Sequence, residues 1–520
     1  MKPKRQNRTR LILAGLLLVI LSSCNHRPEP SFKTLVPTEK DAKPWVFWYW
    51  MHGAVSSEGI TADLEAMKQV GIQGAYIFAI RDTVPALYPD AVATMSPEWW
   101  ALVKHAVSEA NRLDLEIGFN SCDGFTCAGG PWITPEMSMQ KVVWADTLVE
   151  GNQRIQLKLP QAEMVKNYYA DIATFAYPAP DGAGQNSWLK PPKVTSSFPN
   201  EDLQYLAEKG NQKQFSTKDP GWIQYAFDVP FTCRSIQITT GWNNYQSNRL
   251  IVETSNDGVN FAVHARLVPP RAGWLDLDQP NTQLIKPATA RYFRFVYDPA
   301  GSEPGAEDLD DAKWSPALRI KGICLSSEAK INQLEGKNAS TWRIADWSDQ
   351  KALPATACID PTKLQNISQY VAVDGKLDWQ APPGTWVILR MGHTSTGHEN
   401  YIGGGGKGLE CDKFNPEVVR FQFDQWFGEV FRQVGEDLAW KTITRFHVDS
   451  WECGSQNWSP VFAAEFLKRR GYDLMPYLPV MAGVPVGDAE TSERVLNDIR
   501  ETIAELFADN FYGTLHDESQ

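Results

Sequence analysis

Between Trp45 and Asn120 the sequence alternates strand and helix patterns, and this alternation confines the first part of the chain to a parallel α/β unit. Trp45-Val-Phe-Trp-Tyr-Trp50 is a continuous apolar run, as expected of a strand covered on both faces. Ile60, Leu64, Met67 and Val70 then recur at helical spacing, and Gly71 stands where a C-terminal cap belongs. Ile72 to Ile80 is a second apolar run. Ser96-Pro97 opens a second helix, with Ser as N-cap and Pro at the first helical position, that continues to about Leu113. Leu115-Glu-Ile-Gly-Phe-Asn120 reads as a third strand, and strands joined by helices pack in parallel.

The rhythm changes after about Met137. As far as Arg390 the sequence shows short alternating runs separated by Gly, Pro, Asn and Asp, which is a β-rich pattern. Within it, Gln224–Val229, Ser235–Ile238, Leu250–Ser255 with the turn Asn256-Asp-Gly258, Ala290–Val296 and Ala317–Gly322 suggest a β-sandwich. Thr254-Ser-Asn-Asp-Gly-Val-Asn-Phe261 followed by Arg291-Tyr-Phe-Arg-Phe295 resembles the galactose-binding-like jelly roll, a module that serves as often for packing as for binding sugar.

Trp386-Val-Ile-Leu-Arg390 reads as the return of the α/β pattern. The Gly403–Gly406 run lacks the closing Gly-Lys-Ser/Thr of a phosphate cradle and is expected to be a mobile loop over a site. Helices are expected from about Pro416 to Val434, Pro460 to Arg470 and Glu490 to His516, with a strand at Ile443–Asp449. Barrel-type strands thus fall near residues 46, 74, 117, 388 and 446, whereas a closed barrel needs about eight. The expected fold is α/β plus β: a (β/α)8-type barrel, incomplete in this chain, interrupted by an inserted β-sandwich. Residues 44–136 and 391–520 would form the barrel portion, 137–390 the insertion with its sandwich at about 200–330, and the C-terminal part of the barrel would be missing.

The first residues carry an address. Lys2, Lys4, Arg5, Arg8 and Arg10 precede the apolar stretch Leu11–Leu21, which is too short to span a membrane, and Leu21-Ser-Ser-Cys24 follows. This is similar to a bacterial lipoprotein signal. It implies cleavage before Cys24, lipidation of that residue, a tether over 25–43, and lipid attachment to the cell envelope, at its outer membrane. Of the remaining cysteines, Cys122 with Cys127 and Cys233 with Cys324 are open to pairing, and spacing favours neither.

A net charge of −12 disfavours nucleic acid as a partner, since phosphate contacts need clustered cations. The 20 tryptophans suit a neutral ligand better, because sugar rings stack on aromatic faces, although large β-rich cores are also aromatic.

Chemistry is most legible in Lys441-Thr-Ile-Thr-Arg-Phe-His-Val-Asp-Ser-Trp-Glu452. Alternation places Ile443, Arg445, His447 and Asp449 on one strand face and Thr444, Phe446 and Val448 on the other. Glu452 then lies just past the strand end, where α/β barrels carry their reactive groups. A glutamate beside a tryptophan is also an ordinary surface feature.

Taken in order, Lys43-Pro-Trp-Val-Phe-Trp-Tyr-Trp-Met-His-Gly53, Gly59–Ile72, Gly129-Gly-Pro-Trp-Ile-Thr-Pro-Glu136, Gly408-Leu-Glu-Cys-Asp-Lys413 and His447-Val-Asp-Ser-Trp-Glu452 resemble glycoside hydrolase family 106, the α-L-rhamnosidases. The resemblance implies an inverting exo-hydrolase of rhamnose-containing glycans that depends on calcium. It assigns Glu452 to one of two catalytic glutamates, taken here as the general acid. The second lies well downstream, at a position beyond Gln520. Asp449, Glu410, Asp412 and Asp123 are candidates to hold a sugar hydroxyl or a hard cation through oxygen, and the calcium ligands stay unknown. His447, with His52, His393 and His398, is a candidate pocket residue. Trp50, Trp451 and Trp458 are candidate stacking platforms, with Trp48 expected in the core. Two other readings stay open: a lipid-anchored glycan-binding protein, and a barrel glycosidase of another specificity such as a β-galactosidase-like enzyme.

Overall fold

The computed structural model describes residues 42–520 apart from 81–86, 200, 270–275, 302–316 and 342–352. Cys24, the signal and nearly all of the tether lie outside the described residues. Among the described residues no helix is long and apolar enough to cross a membrane.

The opening pattern forms as expected. Strand β1 (Trp45–Met51), helix α1 (Ser57–Gln69), strand β2 (Gly74–Ile80), helix α2 (Pro97–Arg112) and strand β3 (Glu116–Asn120) follow one another. Both helices start on a serine cap: Ser56 Oγ accepts from Gly59 N–H and Ser96 Oγ from Trp99 N–H, each at 3.1 Å. Gly71, at φ +83°, closes the first turn after α1, a conformation that side chains with a Cβ rarely adopt. The three strands pair in parallel, and Ile443–His447, a strand far along the chain, joins them beside β3.

Helices cover one face of this sheet. Leu64, Trp99, Val103 and Val107 pack there on Trp48, Trp50, Ile77, Ile117 and Phe119. The opposite face is open: Phe47, Tyr49 and Met51 are 49%, 53% and 44% exposed. The expectation of a first strand buried on both sides is therefore corrected. Its run is continuously apolar because the open face is aromatic.

The inserted region is antiparallel. Strands β4 (Gln140–Glu150), β5 (Ala170–Pro178) and β8 (Thr385–Ser395) share one sheet with β8 between the other two. A second, seven-stranded antiparallel sheet spans Lys193–Ser326 and has its own core, with β6 (Gly221–Thr240) and β7 (Pro280–Tyr297) as its longest strands. Bulges at Ala226/Phe231 and Cys233/Ser235 interrupt their pairing and let the long strands bend.

Strand β8 corrects the count of barrel-type strands, because the run near residue 388 belongs to the antiparallel sheet. Its residues are buried on both faces since Val387, Leu389 and Met391 enter one hydrophobic core while Trp386 and Ile388 enter another. Two-sided burial removes the alternation that identifies an antiparallel strand in sequence.

Past β8, helix α3 (Pro416–Phe423) runs through a π turn at Asp424–Gly428 into Glu429–Val434. Strand β9 (Ile443–His447) follows, and helix α4 (Ala489–Leu506) packs with Phe462, Phe466, Leu478 and Val480 against the β4–β5–β8 sheet.

Disulfides are absent among the described residues: all seven of their cysteines are free and buried. Cys122 donates to Thr126 O and Cys127 to Ser450 O, so the two thiols of the first candidate pair turn to different partners. In the second, Cys324 lies opposite Gln237 rather than Cys233, and Cys233 donates to Ser235 O.

Candidate active site

The carboxyl ends of the four parallel strands lie along one edge of their sheet, and loops in that position can hold reactive groups open to substrate while the sheet fixes their roots. Asp123 follows β3, and Asp449 and Glu452 follow β9.

Strand β9 does not keep simple alternation. A bulge between Ile443 and Arg445 turns Ile443 and Phe446 toward the helix-covered core, whereas Arg445 and His447 face the open side. The expected grouping of Ile443 with Arg445 and His447 is corrected by that one inserted residue. The His447 ring lies 5.1 Å from Tyr76 and 5.6 Å from Phe47 by centroid, in the aromatic open face. Its Nε2 is buried without a hydrogen-bond partner and stands 3.9 Å from Asp449 Oδ2. Asp449 Oδ1 accepts from the Ser450 N–H at 2.7 Å. His447 and Asp449 thus bring a ring nitrogen and a carboxylate oxygen together at the strand end.

Glu452 is half-buried, and its Oε2 accepts a 2.7 Å hydrogen bond from the Tyr401 hydroxyl. Burial first, then the bond to Glu452, pushes the Tyr401 phenol well above its ordinary value, so it remains a donor. Tyr401 was not legible as a functional residue. The only signal is a phenol just before the glycine run.

That run is a braced turn rather than a mobile loop, which corrects the expectation for it. Asp123 Oδ2 accepts from Gly404 N–H at 2.7 Å and Gly406 N–H at 2.9 Å. The Asn400 side chain donates to the carbonyls of Asp123 and Gly406 and accepts from Gly408 N–H. Gly406 has no Cβ for a steric reason, since one would meet the Asp123 side chain.

Glu410, Asp412 and Lys413 form a buried knot beneath the Glu452 loop. Glu410 Oε2 accepts from Lys413 Nζ at 2.8 Å and from Ala128 N–H at 2.9 Å. Asp412 accepts from Gln456 Nε2, from Ser459 Oγ at 2.6 Å and from Phe414 N–H at 3.0 Å, tying it to the residues that follow Glu452. Burial pushes the Asp412 carboxyl up to about 6 against the pull of these donors. Desolvation works against the Lys413 charge, but the Glu410 carboxylate at 2.8 Å pairs with it and holds the ammonium protonated.

Glu410 and Asp412 are 0% and 1% exposed, and Asp123 is 1% exposed, so these three position the site and do not line it. The carboxylates of Asp123, Glu410 and Asp412 are turned to N–H and ammonium donors, and no group of three or more potential metal ligands occurs among the described residues. Each of the three carboxylates thus has at least one oxygen committed to a donor of the protein.

Of the aromatic candidates, Trp451 is half-buried. Its ring packs edge-on against Phe507 at 4.6 Å, and its indole N–H donates to Gly454 O at 2.8 Å, which fixes the turn after Glu452. Gly454, at φ +71°, lies so close to the His398 ring that a Cβ there would collide. Trp50 is 4% exposed between Trp48 and Trp99 on the helix-covered face, and Trp458 is 4% exposed against Phe462, so both serve cores and offer no platform. His393 is buried beside Gln140 and burial lowers it to about 4.

The solved structure of a rhamnosidase from Novosphingobium sp. PP1Y superposes with a TM-score of 0.76 at 28% identity, covering 94% of this chain and 46% of that one. A protein named "putative beta-glucuronidase" from Formosa agariphila is 28% identical over 512 residues, which is 97% of this chain and 31% of that protein. The chain therefore spans less than half the length of either relative. The alpha-L-rhamnosidase family model matches residues 36–520, nearly the whole sequence, and the chain belongs to glycoside hydrolase family 106.

Proposed function

We propose that the protein is an exo-acting α-L-rhamnosidase that releases rhamnose from a glycan with inversion, using Glu452 as the general acid. The observation that carries this reading is Glu452 itself: a half-buried carboxyl group at the carboxyl end of a parallel strand, gripped by Tyr401, in a chain of this family. Protonated Glu452 would give its proton to the glycosidic oxygen as the bond to the anomeric carbon breaks. His447 Nε2 and Asp449 Oδ2 would orient sugar hydroxyls at the strand end. Inversion further requires a carboxylate base about 6.5–9.5 Å from the acid to activate water on the opposite ring face, a role assigned to no residue of this chain. Calcium enters no step.

Hydrolysis of an aryl α-L-rhamnoside by the full-length gene product, lost in Glu452→Gln and yielding β-L-rhamnose first by NMR, is the expected result. Release of sugar from an aryl β-glucuronide but not from the rhamnoside would replace the proposed substrate, a comparison motivated by the name of the Formosa relative. Retention of the anomeric configuration would overturn the inverting reading.

We also propose that lipid on Cys24 holds the protein at the outer membrane, an inference from the basic and apolar residues preceding that cysteine. Incorporation of a labelled fatty acid, abolished by Cys24→Ala, is expected. Labelling that survives the substitution would refute it.

A further inference from the structure

Beside the Glu452 loop lies a cavity of about 470 Å³, within the size range of small-ligand sites. It stands where three parts of the chain meet. Strand β4 supplies Lys141 and Trp144, the seven-stranded sheet supplies Gln237 with Gln279 just before its strand β7, and the two segments that frame Glu452 supply His398 and Ser455.

Those two segments set the distance. Tyr401 holds Glu452 by its hydroxyl; His398, three residues before Tyr401, presses against Gly454, two residues after Glu452, with Ser455 next to it. Three residues span at most about 11 Å even when extended, so Ser455 at the cavity wall lies within about 11 Å of Glu452, within reach of the sugar unit next to the bond to be cleaved.

Its chemistry suits a neutral, hydroxylated ligand. Trp144 is half-buried and presents an apolar ring. Gln237, Gln279 and Ser455 bring amide and hydroxyl groups. Burial holds His398 below its ordinary value, so its ring is a neutral imidazole with one donor and one acceptor nitrogen. The ammonium of Lys141 is already neutralised by Glu163 at 3.0 Å, leaving no free cation there to select an anionic sugar.

We infer that this cavity is an accessory subsite for the neutral sugar residue of the glycan that lies next to the bond beside Glu452. The inference rests on the proposed glycosidase function and adds to it a preference for oligosaccharides over small aryl glycosides. The inserted β-region would then contribute to substrate choice, because two of its sheets build the cavity wall.

Two variants of the full-length protein test it. Trp144→Ala removes the ring, and Glu163→Trp narrows the mouth from an exposed rim position without disturbing a core. The probes are methyl α-L-rhamnopyranosyl-(1→2)-α-L-rhamnopyranoside and an aryl α-L-rhamnoside. In both variants kcat/KM for the disaccharide is expected to fall at least ten-fold while that for the aryl glycoside stays within two-fold. Equal changes for both substrates, or no change in either, would overturn the subsite. Binding of the disaccharide to Glu452→Gln, measured by calorimetry, separates this from failure of the catalytic reading. Binding that weakens when either substitution is added supports the subsite even without hydrolysis, and unchanged binding refutes it.

Discussion

The Tyr401 hydroxyl donates a 2.7 Å hydrogen bond to Glu452 Oε2 and thereby joins the braced glycine turn to the loop that carries the proposed acid. The two residues are 51 positions apart, and each sits on a segment anchored independently, one by Asp123 and Asn400, the other by Trp451.

Tyr401→Phe removes this bond and little else, as the phenol is partly exposed. A loss of up to about ten-fold in kcat on an aryl α-L-rhamnoside is expected, with the melting temperature unchanged, because the bond orients the protonated acid and a hydrogen bond between neutral groups is worth about 0.5–1.5 kcal/mol. Unchanged kcat would remove Tyr401 from the site.

Asp123→Ala withdraws the acceptor from two backbone N–H groups of the glycine turn. Each buried donor left without its partner costs about 1–3 kcal/mol. The variant should melt earlier and be cut faster by protease between residues 401 and 408, with KM raised. Asp123→Asn, which keeps an acceptor oxygen, should recover much of the loss.

Lys413→Met leaves the Glu410 carboxylate buried with its cation gone. Breaking one side of such a pair costs about 3–5 kcal/mol. Urea denaturation should show that loss, and the double variant Glu410→Gln/Lys413→Met should regain at least half of it. A single variant as stable as wild type would show that the pair contributes nothing.

Asp412 gives a pH signature of definite sign. Its folded-state value, about 6, lies above its ordinary 3.8, so the folded protein holds the proton more tightly than the unfolded chain. Stability from this group is therefore fully present below about pH 4 and is lost as the pH rises to 6, by up to about 3 kcal/mol. Asp412→Asn should flatten that dependence in denaturation curves taken between pH 4 and 7, and identical slopes for the two proteins would contradict it.

The active-site candidates divide in a way that shows what local pattern reveals. Glu452 and Asp449 were recognisable because a strand ending in polar residues announces itself within a few positions. Glu410, Asp412 and Asp123 were equally conspicuous in sequence, yet only tertiary contacts show that Lys413, Gln456 and the glycine turn each take a carboxylate oxygen of one of them inside the protein. Trp50 misled for a related reason. An apolar run states that a strand is covered but not by what, and helices α1 and α2 cover its side of the sheet.

By itself the sequence determined the local elements: the serine-capped helices, the parallel β–α–β–α–β opening and the strand that ends before Glu452, all set by periodicity and capping over short distances. Tertiary structure alone decided which strands share a sheet, where the bulge in β9 reverses its faces, and that Tyr401 rather than a neighbour in sequence meets Glu452. Those outcomes depend on contacts between residues tens to hundreds of positions apart, and a single sequence carries no periodic signal over such distances.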